Sequence, residues 1–188
     1  MTLEETQIKK ECFDKKFYSF GTVKIFEKRV SKYGFWLKSI TFLGLVLPLA
    51  LGTFVAAFSS EQEILKNILL PICGILTITQ AILSLLSLSF KWDDNYSYAI
   101  GAVKNNTRLT NDFEQLSSEN ITKIKRDISR LRDEYTRQEI EDNTQNITDK
   151  EKRFAMRLSL FQYKCTCKTC NTIPQSLTAS DCDTCGNF

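Results

Sequence analysis

Five of the seven cysteines fall between residues 165 and 185, in the run CTCKTCNTIPQSLTASDCDTC. Cys167 and Cys170 make one CxxC pair, Cys182 and Cys185 make another, and eleven residues separate them. A CxxC turn can present two thiolates together. Two such turns complete a tetrahedral four-sulfur shell, the coordination that suits Zn²⁺. Gly186 directly follows Cys185 and fits the tight turn of such a knuckle. Four protein ligands close the shell, so the expected metal is structural, a staple for a tail too small to fold alone. The same thiolates could carry an iron–sulfur cluster. Disulfides are a further alternative, but they need an oxidising compartment. Cys165 is a surplus thiol that could substitute for a ligand or stay free.

Two other patterns could do chemistry. Between residues 64 and 90, Cys73, Thr77, Gln80, Ser84, Ser87 and then Lys91 recur in steps of four and three, a polar stripe on one face of an apolar helix. An amide such as Gln80 facing lipid would be costly, so the stripe must meet protein or water. It could hydrogen-bond a neighbouring helix. In an oligomer it could instead line a polar lumen, with Thr77, Gln80, Ser84 and Ser87 as pore-lining residues. The third pattern is basic: Lys123, Arg126, Arg130 and Arg137 share a helix face and are candidate contacts for an anionic ligand. Because Asp127, Asp133, Glu134 and Glu139 are interspersed, an ordinary solvated face explains them too. The chain has no His, which excludes His catalysis and Cys/His metal sites. An enzyme is not expected.

The elements that position these residues can be read from the hydropathy pattern. Residues 39–58 and 64–90 are two apolar segments joined by the five-residue link 59–63. About 20 apolar helical residues cross a bilayer core, and so short a link leaves a helical hairpin as the spanning arrangement. A buried hairpin in a soluble helical core is the plainer alternative. In the first segment Gly44, Pro48, Gly52 and Ala56 form a small-residue ridge that allows another helix to approach, and Pro48 should kink it. Residues 1–38 carry eight Lys and one Arg against five acids, whereas residues 91–164 are nearly balanced, fourteen basic to thirteen acidic. The basic bias beside the spans and its absence from the link predict both termini in the cytoplasm.

Residues 1–12 read as polar and frayed. Phe13, Phe17, Phe20, Val23, Phe26, Val30 and Tyr33 then follow helical steps, an amphipathic helix expected to break at Gly34. It could lie on anionic lipid, or pack on later helices, which its broad aromatic face favours. After Trp92 the chain reads as cytoplasmic helices. Ser117 or Ser118 is the expected cap of one with the seam Ile121, Ile124, Ile128, Leu131 and Tyr135. That seam could be a hairpin core or a self-association surface. Thr148 and Glu151 form a capping box for a last helix. The expected fold is thus an all-α membrane protein: an amphipathic N-terminal helix (1–38), a transmembrane helical hairpin (39–91), a cytoplasmic helical bundle (92–164) and a small C-terminal zinc ribbon (165–188).

A basic N-terminal helix, a tight two-span hairpin and a cytoplasmic helical tail resemble the SLATT group of bacterial two-transmembrane effectors. The ending CxxC-x11-CxxC is similar to the subgroup described by that spacing in mobile elements. The resemblance implies an oligomeric membrane pore encoded beside a nucleotidyltransferase in an anti-phage locus, as in the channel component of Hailong-type systems. There the nucleotide product holds the channel closed. No catalytic or nucleotide-binding motif carries over to these residues. The function expected is a homo-oligomeric, tetrameric ion channel in membrane lipid. It would act in abortive infection under a nucleotide or oligonucleotide regulator from a partner nucleotidyltransferase. A non-conducting membrane-anchored adaptor, whose zinc module recruits a partner, is the alternative.

Overall fold

The computed structural model describes residues 3–57, 63, 67–68 and 70–188. Among them the chain forms the helices α1 (Leu3–Ala57), α2 (Leu70–Ser89), α3 (Trp92–Ser118), α4 (Ile121–Asn143) and α5 (Asp149–Tyr163), and no strand. The chain divides into two units, one of residues 1–29 and 99–188 and the other of residues 30–98. Apart from Glu63, the expected link 59–63 lies outside the described residues, as do residue 58 of the expected first span and residues 64–66 and 69 of the second.

In the first unit the sequence pattern becomes one core. Ile124, Ile128, Leu131 and Tyr135 of α4 close on Leu109, Phe113 and Leu116 of α3 and on Cys12 of α1. The seam is therefore an intrachain core. The Phe113 and Tyr135 rings meet edge to face at 6.0 Å between centroids, the arrangement that ring quadrupoles favour. Residues 3–12, expected to fray, are helical instead. Cys12 is fully buried with Ile8 beside it, and Glu4 and Glu11 reach Lys125 and Arg132. Tertiary burial, absent from local composition, holds that turn.

The cap of α4 is Asn120, whose side chain accepts the Lys123 N–H at 3.0 Å, not Ser117 or Ser118. Both serines belong to the last turn of α3 and donate back to the carbonyls of Glu114 and Gln115. At α5 the expected capping box of Thr148 and Glu151 is present, satisfying two N–H groups that the helix start leaves without partners.

α1 packs along α5. Phe17 meets Leu160, with Phe13, Met156 and Tyr163 around them. At Gly21 the helices approach so closely that a Cβ would stand 3.0 Å from Ser159 Oγ and 3.3 Å from Ala155 Cβ. Ser159 Oγ donates to the Phe17 carbonyl at 3.0 Å. Arg29 closes this contact. Its guanidinium donates twice to the Glu151 carboxylate, at 2.7 and 2.8 Å, and to the carbonyls of Gln145 and Asn146. Burial pushes the Glu151 carboxyl up, but the Arg29 bond and the hydrogen bonds from Thr148 outweigh it and hold the group down at about 2.

In the second unit α1 does not break at Gly34 but runs on. A Cβ at Gly34 would stand 3.1 Å from the Tyr96 ring, so this glycine serves close packing. Trp36 meets Trp92 at 6.1 Å between centroids, and Gly44 meets Gln80, whose Nε2 lies 2.7 Å from where a Cβ would be. Contacts 34 to 96, 36 to 92 and 44 to 80 run in opposite directions along the chain, so α1 is antiparallel to α2 and to the first turns of α3. Both helices are long and apolar enough to cross a membrane. Phe42, Leu45, Ile75, Ile78, Leu85 and Leu88 turn outward, each more than 60% exposed. That is far more contiguous apolar surface than a water-facing protein ordinarily leaves open.

Two expectations follow for the first unit. Phe113→Ala should cost about 3–5 kcal/mol, as a fully buried aromatic does, while Ile140→Ala on the exposed face should stay within about 0.5 kcal/mol. Thermal melts followed by circular dichroism separate the two. The Glu151 carboxyl titrates lower folded than unfolded, so its stabilisation is whole above about pH 4.5 and is lost as pH falls toward 2. Glu151→Gln should flatten that part of the stability–pH curve. An unchanged slope between pH 5 and 3, measured by urea unfolding, would contradict the assignment.

Candidate functional site

The tail is built from two turns of one design, Cys-x-Thr-Cys. In the first, the Asn171 N–H donates to the Cys167 carbonyl at 2.9 Å and the Cys167 N–H to the Thr172 carbonyl. In the second, the Gly186 N–H donates to the Cys182 carbonyl at 2.8 Å. The turns face each other through the hydroxyls of Thr169 and Thr184, 2.6 Å apart. Asn171 takes the left-handed backbone after the first turn and Asn187 after the second. Gly186 does not have a positive φ. It is required because a Cβ there would lie 2.1 Å from the Ser180 carbonyl oxygen.

These turns bring Cys167, Cys170, Cys182 and Cys185 together, with all four sulfurs within 4.8 Å of one another. Cys167 to Cys182 is 3.9 Å and Cys170 to Cys185 is 3.8 Å. A tetrahedron with metal–sulfur bonds of about 2.3 Å has edges of about 3.8 Å, so the donor set fits a four-thiolate metal. Disulfides are not formed. Hydrogen bonds from Thr172, to its hydroxyl at 3.1 Å and to its backbone, hold the Cys170 thiol down at about 6. Backbone N–H groups of Cys185 and Thr184 lower Cys182, while burial pushes Cys185 up. A shell of four protein sulfurs has no open position for a catalytic water. Cys165 is half-buried against the cluster, its thiol 3.5 Å from the Tyr163 carbonyl. The tail contains turns and no strand, so it is a pair of knuckles and not a β-ribbon.

One residue that sequence reasoning missed anchors this module. Arg157 of α5 is only 8% exposed. It donates to the carbonyl of Ser176 at 3.0 Å, to the Ser180 hydroxyl at 3.0 Å and to the Cys185 carbonyl at 3.4 Å. In the sequence it looks like its neighbours Lys150, Lys152 and Arg153, and no local signal distinguishes it. A buried guanidinium needs several acceptors to offset its lost hydration, and only the folded tail supplies them.

The other predicted residues are placed as follows. On α2, Gln80, Ser84 and Ser87 are half-buried, as is Cys73, while Thr77 is exposed and donates to the Cys73 carbonyl at 2.8 Å. Gln80 packs on Gly44 of α1. A Cβ added at Gly52, on the same small-residue ridge, would meet nothing within 4 Å among the described residues. On α4, three of the four basic residues have acidic partners: Lys123 with Glu119, Arg126 with Asp127, and Arg130 with Glu134. Lys123 and Arg130 border one shallow depression, but Asp112, Glu119 and Asp127 border it too. Arg137 is exposed.

An all-helical chain with two apolar helices and a terminal four-cysteine cluster defines the class. The chain belongs to the mobilome CxxCx(11)CxxC protein family, whose model matches residues 9–188. No curated protein and no solved structure matches it.

Cys182→Ser should lower bound metal, measured by elemental analysis of the purified protein, to less than about half the wild-type content, since three ligands hold a structural ion poorly. Arg157→Met should keep the cysteines but cost about 1–3 kcal/mol through unsatisfied tail carbonyls. Lys150→Met on the exposed side should be near neutral. Equal melting temperatures for the two variants would remove the anchoring role of Arg157.

Proposed function

We propose that the protein is a membrane-embedded, oligomeric pore-forming effector whose four-cysteine tail carries a structural Zn²⁺. The observation that carries this reading is the polar stripe of Gln80, Ser84 and Ser87 on α2, a helix whose other faces are apolar and exposed. A lipid-facing surface must be apolar, and a polar face within it must meet protein or water. Several copies arranged about that face would enclose a polar lumen with no ring of charge. Lys and Arg near the starts and ends of the apolar segments support both termini in the cytoplasm. There the four thiols would stay reduced and available to metal.

The likeness to SLATT effectors supports regulation by a nucleotide or oligonucleotide from a partner nucleotidyltransferase in an anti-phage system. Lys123, Arg126, Arg130 and Arg137 are its candidate contacts. An anionic ligand would there have to displace Glu119, Asp127 and Glu134 from their ion pairs.

A second reading, a non-conducting membrane-anchored adaptor, is favoured by one contact. Gln80 already packs on Gly44, which spends the central polar group of the stripe within one chain.

Reconstitution into liposomes separates the two. A pore passes ions, and Gln80→Leu changes its conductance with assembly intact. Absence of flux in every lipid and ligand condition favours the adaptor. Elemental analysis should find about one zinc per chain. Iron together with visible absorbance would replace zinc by an iron–sulfur cluster.

A further inference from the structure

The first unit has a half-open pocket of about 380 Å³ between α1, α3, α4 and α5. Helical interiors pack with few voids larger than a water molecule, whereas ligand pockets run from roughly 300 to 1,000 Å³. Its walls are unequal in chemistry. α1 and α5 contribute an apolar side with Phe17, Tyr18 and Met156. α4 contributes Tyr135, Glu139 and Asp142 at steps of four and three, so all three point the same way.

This polar wall is held in place before any ligand arrives. Asp142, 4% exposed, accepts from Asn106 Nδ2 at 2.7 Å and from Gln138 Nε2 at 2.9 Å. The Tyr135 hydroxyl donates to Glu139 Oε1 at 3.4 Å. Two carboxylates and two phenol rings thus line the cavity against one ammonium, that of Lys152. The Lys15 ammonium stands 3.8 Å from the centre of the Tyr135 ring, so that ring already attracts a cation. Acceptors and ring faces favour positive charge, and the apolar side favours a flat body.

We propose that this cavity binds a small planar organic cation, an aryl or heteroaryl ammonium or amidinium. Its charge faces Glu139 and Asp142, and its ring lies among Phe17, Tyr18 and Met156. Preorganisation of Asp142 by Asn106 and Gln138 lowers the ordering cost of binding. None of the four cysteines and none of the basic residues of α4 lines this site, although Phe17 and Met156 also pack against the cysteine cluster, and it does not depend on conduction by the hairpin.

The test uses the full chain in detergent micelles, titrated calorimetrically with benzamidine, tyramine and the anion benzoate. Benzamidine or tyramine should bind saturably and benzoate at least about tenfold more weakly, the discrimination expected of an acceptor-lined pocket. Glu139→Gln, at the exposed edge of the wall, should weaken the cations about tenfold. Met156→Trp should fill the cavity and abolish binding. If the tryptophan variant fails to fold, Glu139→Gln decides alone. Equal affinity for benzoate, unchanged cation affinity in Glu139→Gln, or no saturable binding of either cation would each overturn the proposal. None of these results bears on ion flux.

Discussion

Burial of Cys12 and Phe17 on one helix is the interaction on which the first unit depends. Five residues apart on an α-helix, they point about 140° from each other. Cys12 enters the core of α3 and α4, while Phe17 enters the cluster of α5 and the metal cysteines. The N-terminal stretch of α1 is therefore enclosed on two sides and cannot lie flat on a lipid surface. Gly21 permits the close approach to α5, and Arg29 fixes the end of the contact through Glu151. Without α1 the two clusters would share no common wall.

The tail depends on that wall and on Arg157. A segment of turns with few apolar residues cannot offset its own ordering entropy. It borrows order from α1 and α5 by packing, from Arg157 by hydrogen bonds, and from metal once one is bound. The family match begins at residue 9 and ends at residue 188. Helices and cysteines are thus features of one family unit, in keeping with a tail that uses helical side chains to hold its shape.

The second unit obeys a different rule. Its helices turn apolar side chains outward, and beside the Trp36–Trp92 ring pair its internal contacts include glycines in close approach: Gly34 under Tyr96, Gly44 under Gln80. Where the surroundings are as apolar as leucine, close backbone approach and hydrogen bonding are what drive helices together. Gln80 has two possible uses, intrachain and interchain, and the tension between channel and adaptor rests on that amide.

By itself the sequence determined the features with a short period or a fixed spacing. The four-sulfur cluster follows from CxxC geometry, the α4 seam from steps of three and four, and the start of α5 from the Thr148 and Glu151 box. All are local, and local chemistry suffices to specify them. Only the tertiary structure decided what depends on residues distant in the chain. The seam became an intrachain core because Cys12 and Phe113 cover it. The first turns of α1 stayed helical because Cys12 is buried and Glu4 and Glu11 pair with Lys125 and Arg132 of α4, and Gly34 packs under a ring where a break was expected. Arg157 became a buried anchor although nothing separates it locally from exposed neighbours. The cavity has walls from four helices, and no window of sequence contains it. Side-chain identity sets which contacts are possible, but long-range packing chooses among them.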